Sequence, residues 1–244
     1  MRLILCMLGL SWSVLTCAED GRHLHLLTDN YPPFNMPGDK PGEVRGISTE
    51  IVQQLLARSG RSYQIRLYPW QRALSAAQNT PDSCVFSTSR TPERESLYSW
   101  VGPLAETSWA LFAYEADPST ANLSNIEDVR DKRIGSSQGD AIVTWLQSYG
   151  YRVDVAPRDD INPQKLLAGR IDLWATGALA GQYLLRQKHI TDIVPRLTFN
   201  RSSMYLACNR DLPSDEVKRL NHELQQMRED GSISAIYKRN GYTP

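Results

Sequence analysis

The strongest constraint on this chain is the alternation of short strand-like and helix-like runs joined by brief connections. Residues 23–28 alternate as a strand. Ile47, Ile51, Val52, Leu55 and Leu56 then fall on one helical face, with Ser48 as candidate N-cap and Gly60 as the stop. Tyr63, Ile65 and Leu67 alternate with Gln64 and Arg66, as a half-buried strand does. Pro69 stands where a helix can begin, residues 70–79 continue it, and 83–87 form the next strand. A βαβαβ run of this kind imposes a parallel sheet with helices on its faces.

The second half repeats the style. Strands are predicted at 108–114, 132–136, 151–155, 171–175 and 203–208. Helices are predicted over 140–149, stopped by Gly150, and over 162–169, opened by Asn162-Pro163. Val217, Leu220, Leu224 and Met227 mark an amphipathic helix capped by Ser214, with Asp215 and Glu216 in its first turn. A last helix carries Ile233, Ile236 and Tyr237 and ends at Gly241. Two α/β units predict two lobes, 19–107 plus 211–244 and 108–210, with crossovers near 108–115 and 203–210. Ligands in open α/β sheets bind beyond the carboxyl ends of the strands, so the expected site is the cleft between lobes.

Residues 1–18 read as a secretory signal: Arg2, a short apolar run from Leu3 to Leu15, then Thr16-Cys17-Ala18 before a cut at Glu19. A lipoprotein signal would place Gly or Ala directly before Cys17 and Leu three before it. Thr16 and Val14 stand there, so soluble export to the periplasm is expected. Of four cysteines, Cys6 and Cys17 leave with the signal. Cys84 and Cys208 remain, which allows one disulfide in an oxidising compartment; two buried free thiols are the alternative. Lys+Arg and Asp+Glu balance at 27 each, and a polyanion rewards a net positive face, so no nucleic-acid partner is expected. The chain is 41% hydrophobic, which argues against disorder, and no apolar run past the first twenty residues is long enough to span a bilayer.

Five segments occur in a telling order: Asp29-Asn30-Tyr31-Pro32-Pro33-Phe34, Gly46-Ile47, Pro69-Trp70, Ser89-Arg90-Thr91-Pro92-Glu93-Arg94-Glu95 and Gly169-Arg170-Ile171-Asp172. Together they resemble the bacterial extracellular solute-binding proteins of family 3, the polar amino-acid type that serves ABC transporters. The resemblance spans the mature chain. It implies an α/β, two-lobe periplasmic binding protein-like (type II) fold whose two-strand hinge closes on a small solute. A monomer without cofactor, delivering its solute to the membrane permease of an ABC transporter, is the expectation.

The resemblance also implies site residues. Arg94 is expected to hold a solute carboxylate through two parallel N–H bonds; a surface arginine paired with Glu93 or Glu95 is the alternative. Arg90 is a second candidate, and two arginines would suit an anionic solute. Ser87 and Ser89 are candidates for backbone and hydroxyl contacts. Asp29, Tyr31, Phe34 and Trp70 lie where family members line the pocket, with core packing as the alternative for the aromatics. Ser137, Gly139 and Asp140 precede a helix whose free N–H groups can meet an anion, although Asp140 can equally cap that helix.

One departure stands out. Amino-acid binders of this family place an Asp after the strand that follows the Gly-Arg-Ile-Asp stretch, to hold the ligand ammonium. Here the segment reads Leu173-Trp174-Ala175-Thr176-Gly177, with Trp174 and Thr176 as the candidate residues and no acid. A buried ammonium without a partner charge is costly. The solute is therefore expected to be small and carboxylated or otherwise anionic, unless Asp29 or Asp140 takes the acid's part.

No enzyme is expected. His23 and His25 share a strand face, but His189 and His222 suggest no third ligand, and no Gly-x-Ser-x-Gly, His-Glu-x-x-His or phosphate loop occurs. Two alternatives remain on the same fold. One is a periplasmic cyclohexadienyl or arogenate dehydratase, which needs a general acid in the cleft, and no Glu stands near Thr176. The other is a soluble ligand-binding partner of a sensor.

Overall fold

The structure is a computed structural model that describes residues 23–243. The expected signal over 1–18, and with it the choice at Cys17, lies outside them. In chain order the first elements are β1 (Leu24–Thr28), β2 (Met36–Pro37), β3 (Val44–Arg45), α1 (Ile47–Ser59), β4 (Tyr63–Leu67), α2 (Trp70–Asn79), β5 (Ser83–Ser89), α3 (Pro92–Glu95) and β6 (Ser99–Tyr114). There follow β7 (Ile134–Ser137), α4 (Ala141–Ser148), β8 (Val153–Ala156), a 3-10 turn (Asp159–Ile161), α5 (Asn162–Leu167), β9 (Leu173–Gly177), α6 (Ala178–Gln187), β10 (Ile193–Cys208), α7 (Ser214–Glu229) and α8 (Ser232–Arg239).

The main sheet runs β4-β1-β5-β10-β6-β9-β7-β8. β1 takes β4 and β5 on either side, both parallel, and β7 likewise takes β8 and β9. Between these triplets β6 and β10 pair antiparallel, from Tyr114 opposite Ile193 to Ser99 opposite Cys208. Each triplet has its own core. Leu26, Ile51, Leu55 and Phe86 belong to the first, and α7 returns to add Leu220 and Leu224. Leu111, Ile134, Leu146 and Leu173 belong to the second. The result is a two-lobe α/β fold of the type II periplasmic binding kind, in which β6 and β10 run through both halves.

Several helix ends differ from the sequence expectation for local reasons. Ser48 does not cap α1. Its N–H and that of Ile47 are taken by the Phe34 and Pro33 carbonyls, and Gly46 is the boundary residue. Gly46 sits at φ 121, where a Cβ would lie 2.6 Å from both of those carbonyl oxygens, so only glycine allows this close approach. Pro213, not Ser214, precedes α7. The sequence reading assigns nothing to 178–202, where α6 and the first part of β10 lie. Pro195 and two register shifts, between Pro195 and Leu197 and between Thr198 and Asn200, break the period-2 pattern that marks a strand.

Cys84 on β5 stands directly opposite Cys208 on β10, and the two form a disulfide across a sequence separation of 124. It ties the returning strand to the first lobe and restricts the unfolded chain. Removing it, by reductant or by Cys84→Ala with Cys208→Ala, is expected to lower stability by about 2–5 kcal/mol. That change is read as a lower urea midpoint at similar slope. An unchanged midpoint in reductant would contradict this role.

Candidate functional site

The carboxyl ends of β1, β4, β5, β7 and β8 converge on one cavity of about 640 Å³ between the lobes. Asp29 and Tyr31 follow β1, Tyr68 and Trp70 follow β4, and Ser87 and Ser89 close β5. Ser137 closes β7, and Arg158 and Asp159 follow β8. Crossover topology delivers loops to these ends, which is why binding groups gather there.

β5 reaches the cavity through a bulge. Thr88 opposes Tyr205 and Val85 opposes Ala207, so Phe86 and Ser87 together face the single residue Leu206. Ser87 takes a left-handed backbone (φ 61), a conformation that a serine holds only where its surroundings fix it. Its hydroxyl donates to Asn35 Oδ1. Asn35 in turn donates to the Asp29 carbonyl at 2.7 Å and approaches its carboxylate at 3.4 Å. The bulge thus anchors Asp29.

Arg94 lies in the cavity wall. It donates through Nη1 to the Ser89 carbonyl at 3.2 Å and through Nη2 to the Gly139 carbonyl of the second lobe at 2.8 Å. Trp70 Nε1 donates to the same Gly139 oxygen at 2.9 Å, and the Arg94 guanidinium lies 6.0 Å from the Trp70 ring centre. The remaining three N–H donors of Arg94 make no hydrogen bond among the described residues. Burial pushes its pKa down, while the Asp140 charge works the other way.

Asp29, Asp140 and Asp159 share this space with Asp160, whose carboxylate is paired with Arg158 at 2.9 Å. Asp140 caps α4 by accepting from the Ile142 N–H at 2.9 Å. Asp29 is pushed up to about 7, chiefly by burial and then by the charges of Asp140 and Asp159. Asp159 is pushed up to about 6 by burial, despite donors on both of its oxygens. Trp174 Nε1 reaches Oδ1 at 2.8 Å and Thr176 Oγ1 reaches Oδ2 at 2.6 Å, with Asn162 Nδ2 a further 3.2 Å from Oδ1.

The candidates from sequence fall into distinct places. Asp29, Tyr31, Trp70, Ser87, Ser89, Arg94, Ser137 and Asp140 line the cavity. Phe34 does not reach it: the side chain is 0% exposed, in the first core. Trp174 is also 0% exposed, packed on Phe112 at 5.1 Å, and acts on the cavity only through Asp159. Thr176 is buried and spends its hydroxyl on the same carboxylate. Arg90 is exposed and faces an outer groove of about 810 Å³, where its Nε meets Glu95 at 2.7 Å. Gly139 presents a carbonyl to Arg94 and Trp70, so its role is that of an acceptor between lobes.

Asp159 itself was not among the candidates. Its one sequence signal is position, just past the end of a strand. Thr107, Trp109 and Tyr68 also line the cavity unannounced. Among the described residues no group of three or more His, Cys, Asp or Glu is placed to hold a metal ion, and no helix is long and apolar enough to cross a membrane.

A buried acid whose pKa is raised opposes folding above that pKa, and the penalty fades as it protonates, toward the ordinary value near 4. The solute-free protein is therefore expected to gain thermal stability as pH falls from above 7 toward 5, and Asp29→Asn to flatten that gain. A melting temperature that falls steadily over this range would contradict the assignment.

A family model for bacterial extracellular solute-binding proteins, family 3, matches residues 24–242. The L-cystine-binding protein TcyJ of Escherichia coli strain K12 is 26% identical over 221 residues, covering 89% of this chain and 82% of that protein. Among solved structures, a histidine kinase sensor domain with similarity to periplasmic binding proteins gives a TM-score of 0.83 at 21% identity, covering 91% of this chain and 98% of that one. ArtJ, the arginine-, lysine-, histidine-binding protein of Geobacillus stearothermophilus, gives 0.79 at 16% identity, covering 91% and 97%. At these identities the two structures speak for the fold.

Proposed function

The chain belongs to the bacterial extracellular solute-binding proteins, family 3, and from that premise we propose that it captures an amino-acid-type solute bearing a carboxylate and at least one cationic nitrogen. It acts as a periplasmic monomer and hands the solute to the membrane permease of an ABC transporter. The observation that carries the reading is Asp159, a carboxylate fixed by Trp174 and Thr176 at the cavity wall. It supplies, from the end of β8, the acid that the end of β9 lacks.

Roles follow from charge and geometry. The free donors of Arg94 suit a solute carboxylate in two-point contact. Asp159, on the second lobe, suits an ammonium. Asp140 lies near Arg94 and offsets it, which leaves Asp29 on the first lobe uncompensated. A second basic nitrogen on the solute would meet Asp29. A purely anionic solute suits these walls poorly, because Asp29, Asp140, Asp159 and Asp160 outnumber Arg94 and Arg158, and Arg158 is already paired with Asp160. L-cystine, the solute in the name of TcyJ, carries a carboxylate and more than one basic nitrogen, which supports the reading.

A dehydratase remains the second reading, because acids with raised pKa values are present where a general acid would be needed. Against it, both oxygens of Asp159 accept hydrogen bonds, which favours the carboxylate over the proton-bearing acid. Turnover of prephenate or arogenate would replace the binding reading.

Isothermal titration with L-arginine, L-lysine, L-cystine, L-glutamate and succinate tests the solute class. Binding is expected among the first three and not with succinate; a preference for succinate would overturn the reading. Arg94→Ala is expected to weaken binding by about 2–5 kcal/mol, since it strips a desolvated carboxylate of its partner. Unchanged affinity would remove Arg94 from the site. A cationic solute favours ionised Asp29 and Asp159, so affinity is expected to fall as pH drops through about 7 and then about 6. Between those values binding should release protons, seen as buffer-dependent heats. Proton uptake on binding would contradict the role of both acids.

A further inference from the structure

Gly177 ends β9 with an ordinary extended backbone (φ −62, ψ 134), so nothing in its own conformation calls for glycine. What calls for it is a side chain of the other lobe. A Cβ at 177 would lie 2.0 Å from Tyr31 Oη and 3.1 Å from Tyr31 Cζ. Tyr31 is held in place from its own side: its ring stacks on Phe34 at 5.8 Å, and its backbone N–H donates to the Asn35 carbonyl at 2.8 Å. The surroundings are also lobe–lobe contacts. Leu179 at the start of α6 packs against the first core, and Tyr183 Oη lies 3.3 Å from Met36 Sδ. Gly139, the other glycine met across the cleft, differs because its φ of 75 would strain any side chain regardless of closure.

We propose that residue 177 determines closure: the lobes seat on the Tyr31 hydroxyl, which fills the space that any side chain at 177 would occupy. This rests on the reading that the lobes close on a solute. Two consequences follow. The closed form stands partly on direct lobe–lobe contacts and is sampled without solute. No acid at the end of β9 is compatible with this seat, so a cationic nitrogen must be met from elsewhere, which is the part Asp159 takes.

Gly177→Ala isolates the effect. At these dihedral angles alanine is unstrained, so with the lobes apart the substitution is neutral or mildly stabilising through the unfolded chain. With the lobes together it must displace Tyr31. Overpacking of this kind is expected to weaken solute binding about ten- to a hundredfold. Removing only the hydroxyl with Tyr31→Phe leaves the ring carbon at the 3.1 Å distance, which a small shift accommodates.

The test places spin labels at Lys40→Cys and Gln187→Cys, both exposed and on opposite lobes, and measures their separation with and without L-arginine. The otherwise unaltered protein is expected to show a short separation in part of the population without additive. Gly177→Ala is expected to lose it at equal or higher melting temperature, and Gly177→Ala with Tyr31→Phe to regain it. Retention of the short separation in Gly177→Ala, or no recovery in the double variant, overturns the proposal. So does its absence from the unaltered protein in both conditions. A short separation that follows residue 177 as described but ignores L-arginine, L-lysine and L-cystine supports the closure role and counts against the solute reading instead.

Discussion

The pairing of β6 with β10 is the constraint on which the site depends. Both strands run the length of the sheet, antiparallel, and each half of the molecule hangs a parallel triplet on one flank. Each triplet gathers its crossover loops at the carboxyl ends of its strands, and the shared pair sets those two sets of ends against each other. Binding groups from residues as far apart in sequence as Asp29 and Asp159 therefore face one cavity. The disulfide between Cys84 and Cys208 fixes the returning strand beside β5, close to the bulge that turns Ser87 toward Asn35.

Electrostatics then decides what that cavity can hold. Asp29 of one lobe lies near Asp140 and Asp159 of the other, in surroundings that screen charge poorly. Arg94 offsets one negative charge and links the lobes through the Gly139 carbonyl. The rest of the repulsion is relieved either by protons or by a cationic solute. The same acids that keep empty closure to part of the population at neutral pH would thus favour closure around a basic nitrogen. The seat of Tyr31 against Gly177 adds a steric condition to this electrostatic one.

Much of this was legible in the residues. The alternation of apolar patterns announced the crossovers, and the strand-end motifs placed Arg94, Trp70, Tyr31 and Asp29 at the cleft. Phe34 was misplaced because an aromatic residue three positions after Tyr31 reads the same whether it turns outward or packs inward. Arg90 was misplaced because its partner Glu95 is brought near only by the one-turn helix between them. Asp159 escaped notice because it sits on an irregular turn with no periodicity, and its meaning lies in Trp174 and Thr176, which approach from another strand. The missing acid after β9 was a correct observation with an incomplete consequence: the sequence shows which position lacks a carboxylate, while only the fold shows which other strand end supplies one.

The central claim is that a surplus of carboxylates over guanidiniums, with Arg94 the one not engaged in an ion pair with Asp160, selects a carboxylated solute with basic nitrogen. Its most direct measurement is native mass spectrometry of the protein isolated from periplasm without refolding, with the released small molecule identified by its fragment masses. The account predicts an amino-acid-type compound carrying a carboxylate and more than one basic nitrogen. A dicarboxylate, a sugar or any solute without basic nitrogen would contradict it.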